Sequence, residues 1–366
     1  MISRRIVTLA LGIALVAAAC GGDDDATATT ATPAAPSDTT ASNEVTLVLL
    51  THDSFAVSEG VFEAFTADTG ITVEVLAGGD AGAVVNQAIL TKDNPLADVL
   101  FGIDNTFLSR ALDEDLFVPH ESPGLSLVPD DLQLDPDHRV TPIDFGDVCV
   151  NYDKAALQAA GIEPPASLRD LADVRFAGRL VVQDPATSSP GLAFLLATVA
   201  TFGEDGDYPW QRFWEDLAAN DVLVASGWEE AYYGSFSGGS GEGDRPLVVS
   251  YASSPPAEVF FADPPPAEAP TASLLDGCFR QVEFAGILHG TKHAEAAGRL
   301  IDFMLSPAFQ NDIPLSMFVF PASNEATLPD VFVTHATVSD RPAVISPREI
   351  AANRDRWIRA WTDVMR

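Results

Sequence analysis

The chain has 366 residues, 53 of them acidic and 20 basic, and its formal net charge at pH 7 is −33. A surface this negative repels phosphate backbones, which excludes nucleic acid as a partner. The length is enough for a leader segment followed by two domains of ordinary size.

Residues 1–19 predict the export signal of a lipoprotein. Arg4 and Arg5 precede an apolar run over residues 6–19, which is too short to cross a bilayer, and Cys20 follows directly. This pattern is typical of cleavage before a cysteine that then carries the lipid. We therefore expect an extracytoplasmic protein that touches the cell membrane only through a lipid on Cys20.

Residues 20–43 predict a disordered tether. This stretch consists largely of Gly, Asp, Ala, Thr, Pro and Ser and has no large apolar residue. Because it cannot bury a core, we expect it to behave as a flexible spacer. Folding is predicted to begin at residue 44.

The next hundred residues alternate between strand and helix patterns. Apolar runs predict strands over residues 45–50 and 97–102, and the alternation of residues 71–75 predicts a third. Helical spacing from Val61 to Phe65 and over residues 83–90 fills the gaps between them. Such a chain forms an open α/β sheet, and its ligands bind beyond the carboxyl ends of the strands.

The same alternation returns later and predicts a second α/β region. Residues 144–153 and 279–288 have the pattern of long strands that cross between the two regions. We therefore predict an α/β fold, a two-lobed clamshell with hinge strands. The predicted boundaries are 44–145 and 277–320 for lobe 1, 146–276 for lobe 2, and 321–366 for C-terminal helices that pack mainly on lobe 2.

Two side-chain pairs carry structural predictions. Cys149 and Cys278 are the even pair left after Cys20, and both lie in strand-like segments of a protein in an oxidising compartment, so we predict a disulfide between them. Trp357 and Trp361 lie at helical spacing within residues 347–364 and are expected in the core.

Motifs for catalysis or resident metals are lacking in the sequence. It has no G-x-S-x-G elbow, P-loop, H-E-x-x-H or C-x-x-C. His289 and His293 have ligand-like spacing, but no third ligand is visible nearby. We predict no cofactor and no metal, and we keep an extracytoplasmic enzyme only as a third class of function.

Two features predict a binding pocket instead. Ser188 and Ser189 precede Pro190 at the start of an apolar helix, a place that suits an anion or a hydrogen-bond acceptor, although a simple N-cap gives the same pattern. Trp228, Tyr251 and Phe318 follow strand-like or turn segments, some beside carboxylates. Each ring alone suits a core, but together they suit a planar cation.

These segments resemble, almost end to end after the tether, the thiamine-binding receptors of ABC importers, which belong to the type II periplasmic-binding-protein superfamily. The resemblance is carried by a series of short motifs in one order: Asp53-Ser54-Phe55, Gly102-Ile103-Asp104-Asn105, Asp144-Phe145-Gly146, Gln183-Asp184-Pro185, Gly227-Trp228, Ser250-Tyr251, Gln281-Val282-Glu283 and Ser306-Pro307-Ala308-Phe309.

The resemblance implies a set of ligand contacts. Aromatic rings would enclose the aminopyrimidine, a carboxylate would bond it or balance the thiazolium charge, and the serine-led helix start would hold the hydroxyethyl group or its phosphate. The implied contacts are Asp80, Ala81, Ser188, Ser189, Trp228, Tyr251, Ala252, Ser253 and Ser254. We add His52, Asp53, Tyr232 and Phe318 from the neighbouring turns and rings.

The resemblance also implies partners and leaves one alternative. Thiamine or a thiamine phosphate is the expected ligand, an ABC permease is the expected partner, and we expect a monomer. The chain has His52 and Phe318 where many family members have Tyr and Trp, so the ring cage is thinner. Tyr232 and Tyr233 resemble the tyrosine pair of ferric-iron receptors, and phenolates suit Fe(III), which is the alternative ligand.

Overall fold

The computed structural model describes residues 45–238 and 243–366. The predicted export signal, the lipid site at Cys20 and the tether lie outside the described residues, so these remain predictions. Within the described ranges, no helix combines the length and the apolar character that crossing a membrane requires.

The described strands all belong to one sheet. They are β1 (Val45–Thr51), β2 (Ile71–Ala77), β3 (Val99–Asp104), β4 (Phe117–Val118), β5 (Thr141–Asp153), β6 (Leu180–Gln183), β7 (Leu223–Ala225), β8 (Leu247–Tyr251), β9 (Thr271–Leu288) and β10 (Phe320–Pro321).

Helices cover the sheet between these strands. They are α1 (Val61–Thr69), α2 (Ala81–Leu90), α3 (Leu108–Asp113), α4 (Lys154–Ala160), α5 (Ser189–Phe202), α6 (Trp210–Ala219), α7 (Pro255–Phe260), α8 (Ala294–Met304), α9 (Pro307–Gln310), α10 (Ile313–Ser316), α11 (Asp330–His335) and α12 (Pro347–Met365). Single 3-10 turns span Pro123–Leu127, Asp130–Leu132, Leu168–Ala172 and Val174–Phe176, and a π-helical turn spans Glu230–Ser235.

Two parallel strand groups flank a long antiparallel pair. The strand order is β2-β1-β3-β9-β5-β8-β6-β7, in which β1 runs parallel to β2 and β3, and β6 runs parallel to β7 and β8. Between these groups, β5 and β9 pair antiparallel along their length. The predicted α/β class and the two crossing strands are confirmed, although β9 begins at Thr271 instead of Phe279.

Helix starts after two of these strands place backbone N–H groups at the sheet edge. Asp80 caps α2 by accepting a hydrogen bond from Ala81 N at 2.7 Å, and Ser188 caps α5 by accepting one from Gly191 N at 3.4 Å. Pro190 fits the first turn of α5, where its missing N–H costs nothing. Both helices therefore begin at the carboxyl ends of the parallel strands.

The central strands are joined by a disulfide. The Sγ atoms of Cys149 and Cys278 lie 2.01 Å apart, so the structure contains the bond that the cysteine count predicted. It links β5 to β9 across 129 residues of sequence.

The C-terminal helix packs as the tryptophan spacing predicted. Trp357 and Trp361 are buried, and the Trp361 ring meets the edge of Trp214 on α6 at 5.6 Å. Arg354 lies over the Phe107 ring at the start of α3. Helix α12 thus contacts helices from both predicted lobes, and the lobe boundaries given above remain a proposal.

Candidate functional site

A cavity of about 290 Å³ lies at the carboxyl ends of the strands, close to the lower limit of about 300 Å³ for small-molecule sites. One side is formed by the turn after β1, the start of α2 and strand β9. The other side is formed by the start of α5, the turn before residues 230–235 and the end of β8. This is the edge of the sheet where the α/β pattern predicted a ligand.

Most of the predicted site residues line this cavity, and three do not. Those that line it are His52, Asp53, Asp80, Ala81, Ser189, Trp228, Tyr232, Tyr251, Ser254 and Phe318. Ser188 is fully buried and caps α5. Ala252 packs against the disulfide, and the next residue, Ser253, is buried without lining the cavity. The structure therefore places Ser188, Ala252 and Ser253 behind the cavity wall.

Asp80 connects the two sides of the cavity. Its Oδ1 accepts hydrogen bonds from the backbone N–H groups of Ala81 and Ser189, and its Oδ2 accepts one from Trp228 N at 2.9 Å. Burial raises the pKa of Asp80, while the hydrogen bond from Trp228 N is the main opposing effect. Since its oxygens meet amides of both strand groups, Asp80 holds the two sides together as well as facing the cavity.

The Trp228 indole is held in place by a hydrogen bond at its edge and by a stacked ring on one face. Its Nε1 donates a hydrogen bond to Ser250 Oγ at 2.9 Å, and Ser250 in turn bonds Ser254 at 3.0 Å. Tyr232 stacks on the indole with ring centroids 4.8 Å apart and an interplanar angle of 18°. A ring fixed in this way offers a preorganised flat surface to a ligand.

Tyr232 and Tyr233 are in different environments. Tyr232 is buried, and its hydroxyl donates a hydrogen bond to Glu258 Oε1 at 2.7 Å. Burial, with the nearby Glu258 carboxylate, raises the pKa of Tyr232 well above its usual value. Tyr233 is 44% exposed and meets Tyr232 edge to face. A raised pKa opposes the deprotonation that a tyrosinate ligand to iron requires.

His52 pairs with Glu283, a residue that the sequence-based site prediction missed. The two side chains approach to 3.4 Å between Nε2 and Oε1. The imidazole packs over Gly102, which has φ +102° and where a Cβ would lie only 2.4 Å from the ring. Burial opposes protonation of His52, but Glu283, together with Asp80 and Asp53, raises its pKa overall.

Glu283 lies between two more buried carboxyl groups. In sheet register Glu283 on β9 faces Asp104 on β3 and also faces Asp144 on β5. Both neighbouring strands have an irregularity close to these residues, between Phe101 and Ile103 and between Pro142 and Asp144. Bulges of this kind commonly re-aim side chains near functional sites. Asp104, Glu283 and Asp144 are hereafter called the carboxyl ladder.

Phe318 marks the mouth of the cavity. Its backbone has φ +55°, a conformation that a bulky residue adopts at a cost of about 1–3 kcal/mol. The ring lies 5.6 Å from the Phe261 ring, which is 71% exposed. The strained backbone therefore directs an aromatic ring to the entrance.

Other lining residues were not among the predicted thiamine contacts. They include Ser54, Phe55, Pro190, Glu229, Tyr233, Phe261, Gln281, Glu283, Met317 and Val319. Glu283 had a detectable signal, since it is the one charged residue in the apolar stretch 282–288 of a crossing strand. The position of Phe261 depends on where α7 ends and had no such signal.

Comparisons with known proteins find solute-binding proteins of bacteria. Residues 94–337 match the family model described as bacterial extracellular solute-binding protein. A thiamine-binding periplasmic protein of Escherichia coli is 34% identical over 320 residues, which cover 86% of this chain and 92% of that protein.

Solved structures give the same picture. A periplasmic thiamin binding protein superposes with a TM-score of 0.77 at 31% identity, covering 88% of this chain and 96% of that one. Iron-bound HitA from Pseudomonas aeruginosa superposes with a TM-score of 0.68 at 20% identity, covering 87% and 99%, a likeness that shows the fold alone.

Proposed function

The chain belongs to the bacterial extracellular solute-binding protein family, and from this premise we propose that it is an extracytoplasmic receptor that captures thiamine and delivers it to an ABC importer. Its closely similar relatives are thiamine-binding periplasmic proteins. The observation that carries the proposal is one cavity with a fixed indole, Trp228, on one side and a buried carboxylate, Glu283, on the other. This protein is a binding receptor and not an enzyme.

The two sides of the cavity match the two properties of thiamine. Thiamine consists of two flat aromatic rings, one of which is permanently cationic, so a stacked indole and a carboxylate are the groups that suit it. A cation over an indole contributes about 0.5–2 kcal/mol, and more when water is excluded. The Ser189 hydroxyl is buried, lines the cavity at the start of α5 and also interacts with the Asp104 carboxyl group. It is the natural donor to the hydroxyethyl oxygen or its phosphate.

Three finer proposals complete the function. Cys20 carries the lipid anchor, the receptor acts as a monomer, and the boundaries at residues 145, 276 and 320 separate two lobes that close on the ligand. Closure is supported by Asp80, which already joins amides from both strand groups. A ligand that touches both sides stabilises the closed state, which the permease then recognises.

The ferric-iron alternative has less support. Tyr232 donates its hydroxyl hydrogen to Glu258 and its ring is covered by Trp228, so it lacks a free phenolate. Within residues 45–238 and 243–366, no cluster of three or more His, Cys, Asp or Glu side chains is arranged to hold a metal ion.

Calorimetry of the ligand-stripped protein tests the proposal. We expect saturable one-to-one binding of thiamine, with thiamine monophosphate and pyrophosphate compared in the same experiment. Fe(III), supplied as its citrate complex, should give no binding and no tyrosinate colour. Absence of thiamine binding together with a coloured iron complex would overturn the proposal in favour of iron.

A further inference from the structure

The carboxyl ladder is three acidic side chains in a row across neighbouring strands. Cross-strand partners project to the same face of a sheet, with Cβ atoms about 4.5–5.5 Å apart. Asp104 and Asp144 are almost completely buried, and Glu283 is 8% exposed and reaches the cavity. The middle member of the ladder thus faces the ligand site, and the two outer members are buried on either side of it.

The ladder lacks the hydrogen-bond donors that three ionised carboxylates require. Thr106 N, Thr106 Oγ1 and Phe107 N donate to Asp104 Oδ1, at 3.1, 2.6 and 3.3 Å. Asp104 Oδ2 and Asp144 Oδ2 are buried, and the side chains that approach these two carboxyl groups are Ser189 and Glu283, respectively. Adjacent buried carboxylates cannot all be ionised, because each charge disfavours the next. At least one oxygen pair of the ladder must therefore share a proton.

The charged surroundings of the ladder are almost entirely acidic. The turn after β1 contributes His52 and Asp53, the start of α2 contributes Asp80, and the turn before the π-helical segment contributes Glu229. Tyr251 faces the ladder from β8 and donates its hydroxyl hydrogen to Gln281. Among the described residues, no Lys or Arg lines the cavity, so His52 is its one basic group.

Burial and the neighbouring like charge raise the pKa of two members of the ladder. Burial raises the pKa of Asp104 to about 7, with the Thr106 hydrogen bond opposing and the Glu283 charge adding to the rise. Burial, followed by the charge of Glu283, raises the pKa of Asp144 well above its usual value. Both shifts favour a protonated carboxyl group in the ladder when no ligand is bound.

We propose that the carboxyl ladder is the charge-selecting element of the site, in which a stored proton is exchanged for the positive charge of the ligand. On binding, the O–H bond of a ladder carboxylic acid breaks and the proton passes to solvent. The carboxylate that remains pairs with the quaternary nitrogen of the ligand. This inference rests on the proposed function, since it requires a cationic ligand in this cavity.

The sign of the pH dependence follows from this exchange. A cation in the cavity lowers the pKa of every nearby acid and of His52, so binding releases protons. Thiamine affinity therefore rises with pH over the range in which the ligand-free site holds a proton that the ligand-bound site has lost. The slope of the logarithm of the association constant against pH equals the number of protons released. We expect thiamine affinity to increase roughly three- to tenfold between pH 6 and pH 7.

Proton counting by calorimetry tests the inference directly. Thiamine is titrated into the wild-type protein at pH 6.5 in two buffers with different ionisation enthalpies, and the difference in heat gives the protons released. We expect between about half a proton and one proton per thiamine. Equal heats in both buffers, with thiamine still bound, would overturn the inference while leaving the proposed function intact. Absence of thiamine binding would overturn both.

Two further measurements identify the ladder as the source. The pyrimidine half of the ligand, 4-amino-5-hydroxymethyl-2-methylpyrimidine, lacks the quaternary nitrogen and should release fewer protons on binding than thiamine does. Infrared difference spectra should lose a protonated-carboxyl band when thiamine binds, and Glu283→Gln should diminish this loss. Glu74→Gln, at an exposed position on β2, is the matched control and should behave as wild type. An unchanged carboxyl band in the wild-type protein would contradict the ladder as the proton source.

Discussion

The two sides of the cavity contain different kinds of side chain, although each lies at the carboxyl ends of one parallel strand group. The acidic side consists of the carboxyl ladder with His52, on strands β3, β9 and β5 and the turn after β1. The aromatic side consists of Trp228, Tyr232 and Tyr251, fixed at their edges by hydrogen bonds to Ser250, Glu258 and Gln281. The aromatic side should contribute most of the affinity for thiamine, and the acidic side should determine which ligand charge is accepted. Substitutions on the aromatic side should therefore lower affinity, whereas substitutions on the acidic side should change its dependence on ligand charge and pH.

The largest effect is expected from the aromatic side. Trp228→Ala removes the ring that Tyr232 supports, and loss of a central aromatic contact typically costs at least about 2 kcal/mol, or roughly 30-fold in affinity. Calorimetry with thiamine measures it. Trp228→Phe keeps a ring but loses the bond to Ser250, so it should fall between alanine and wild type. Wild-type affinity in the alanine variant would mean that the ligand lies elsewhere.

Asp80→Asn probes the connection between the two sides. The amide group has one acceptor oxygen, so an N–H of Ser189 or Trp228 loses its partner, and a buried unpaired donor costs about 1–3 kcal/mol. We expect thiamine affinity to fall about tenfold. Asp80→Ser can still cap α2 but cannot reach Trp228, so it should weaken binding at least as much. If the serine variant binds as wild type, these amide contacts do not govern closure.

The disulfide should separate stability from binding. Replacing Cys149 and Cys278 together with alanine removes a link that typically contributes about 2–4 kcal/mol to the free energy of unfolding. Denaturant unfolding measures this loss. The bond lies beside Ala252, behind the cavity, so thiamine affinity should change less than about threefold. A larger loss of affinity would show that β5 and β9 need this link to align the two sides.

The smallest effect is expected at the entrance. Phe261 is 71% exposed and contacts Phe318, so Phe261→Ala removes little buried surface. We expect a two- to threefold loss of thiamine affinity, measured in the same titration. A loss approaching that of Trp228→Ala would move the main aromatic contact from the wall of the cavity to its mouth.

Local patterns predicted the elements of the fold well. The apolar run after residue 44, the Ser-Pro start of α5 and the spacing of Trp357 and Trp361 all correspond to structure in the described residues. The beginning of β9 was not predicted, because residues 271–277 include polar side chains and Gly277, which has φ +70°. Helix α6 was also missed, although Trp210, Phe213, Trp214 and Leu217 form a buried helical face.

The candidate site was harder to predict from the sequence, because it depends on the register in which the strands pair. A turn sequence shows that Ser188 and Ser189 are neighbours and that Ala252 and Ser253 are neighbours, but the direction of each side chain is decided by packing. The ladder is a stronger case, since Asp104, Asp144 and Glu283 are far apart in sequence. Only the pairing of β3, β9 and β5, with its two irregularities, brings the three carboxyl groups together.

A crystal structure of the ligand-stripped protein grown with saturating thiamine tests the central claim most directly. We expect electron density for the vitamin in the cavity, with an aromatic ring against Trp228 and its positive charge toward Glu283. An empty cavity at saturation, or thiamine bound at another surface, would contradict the account.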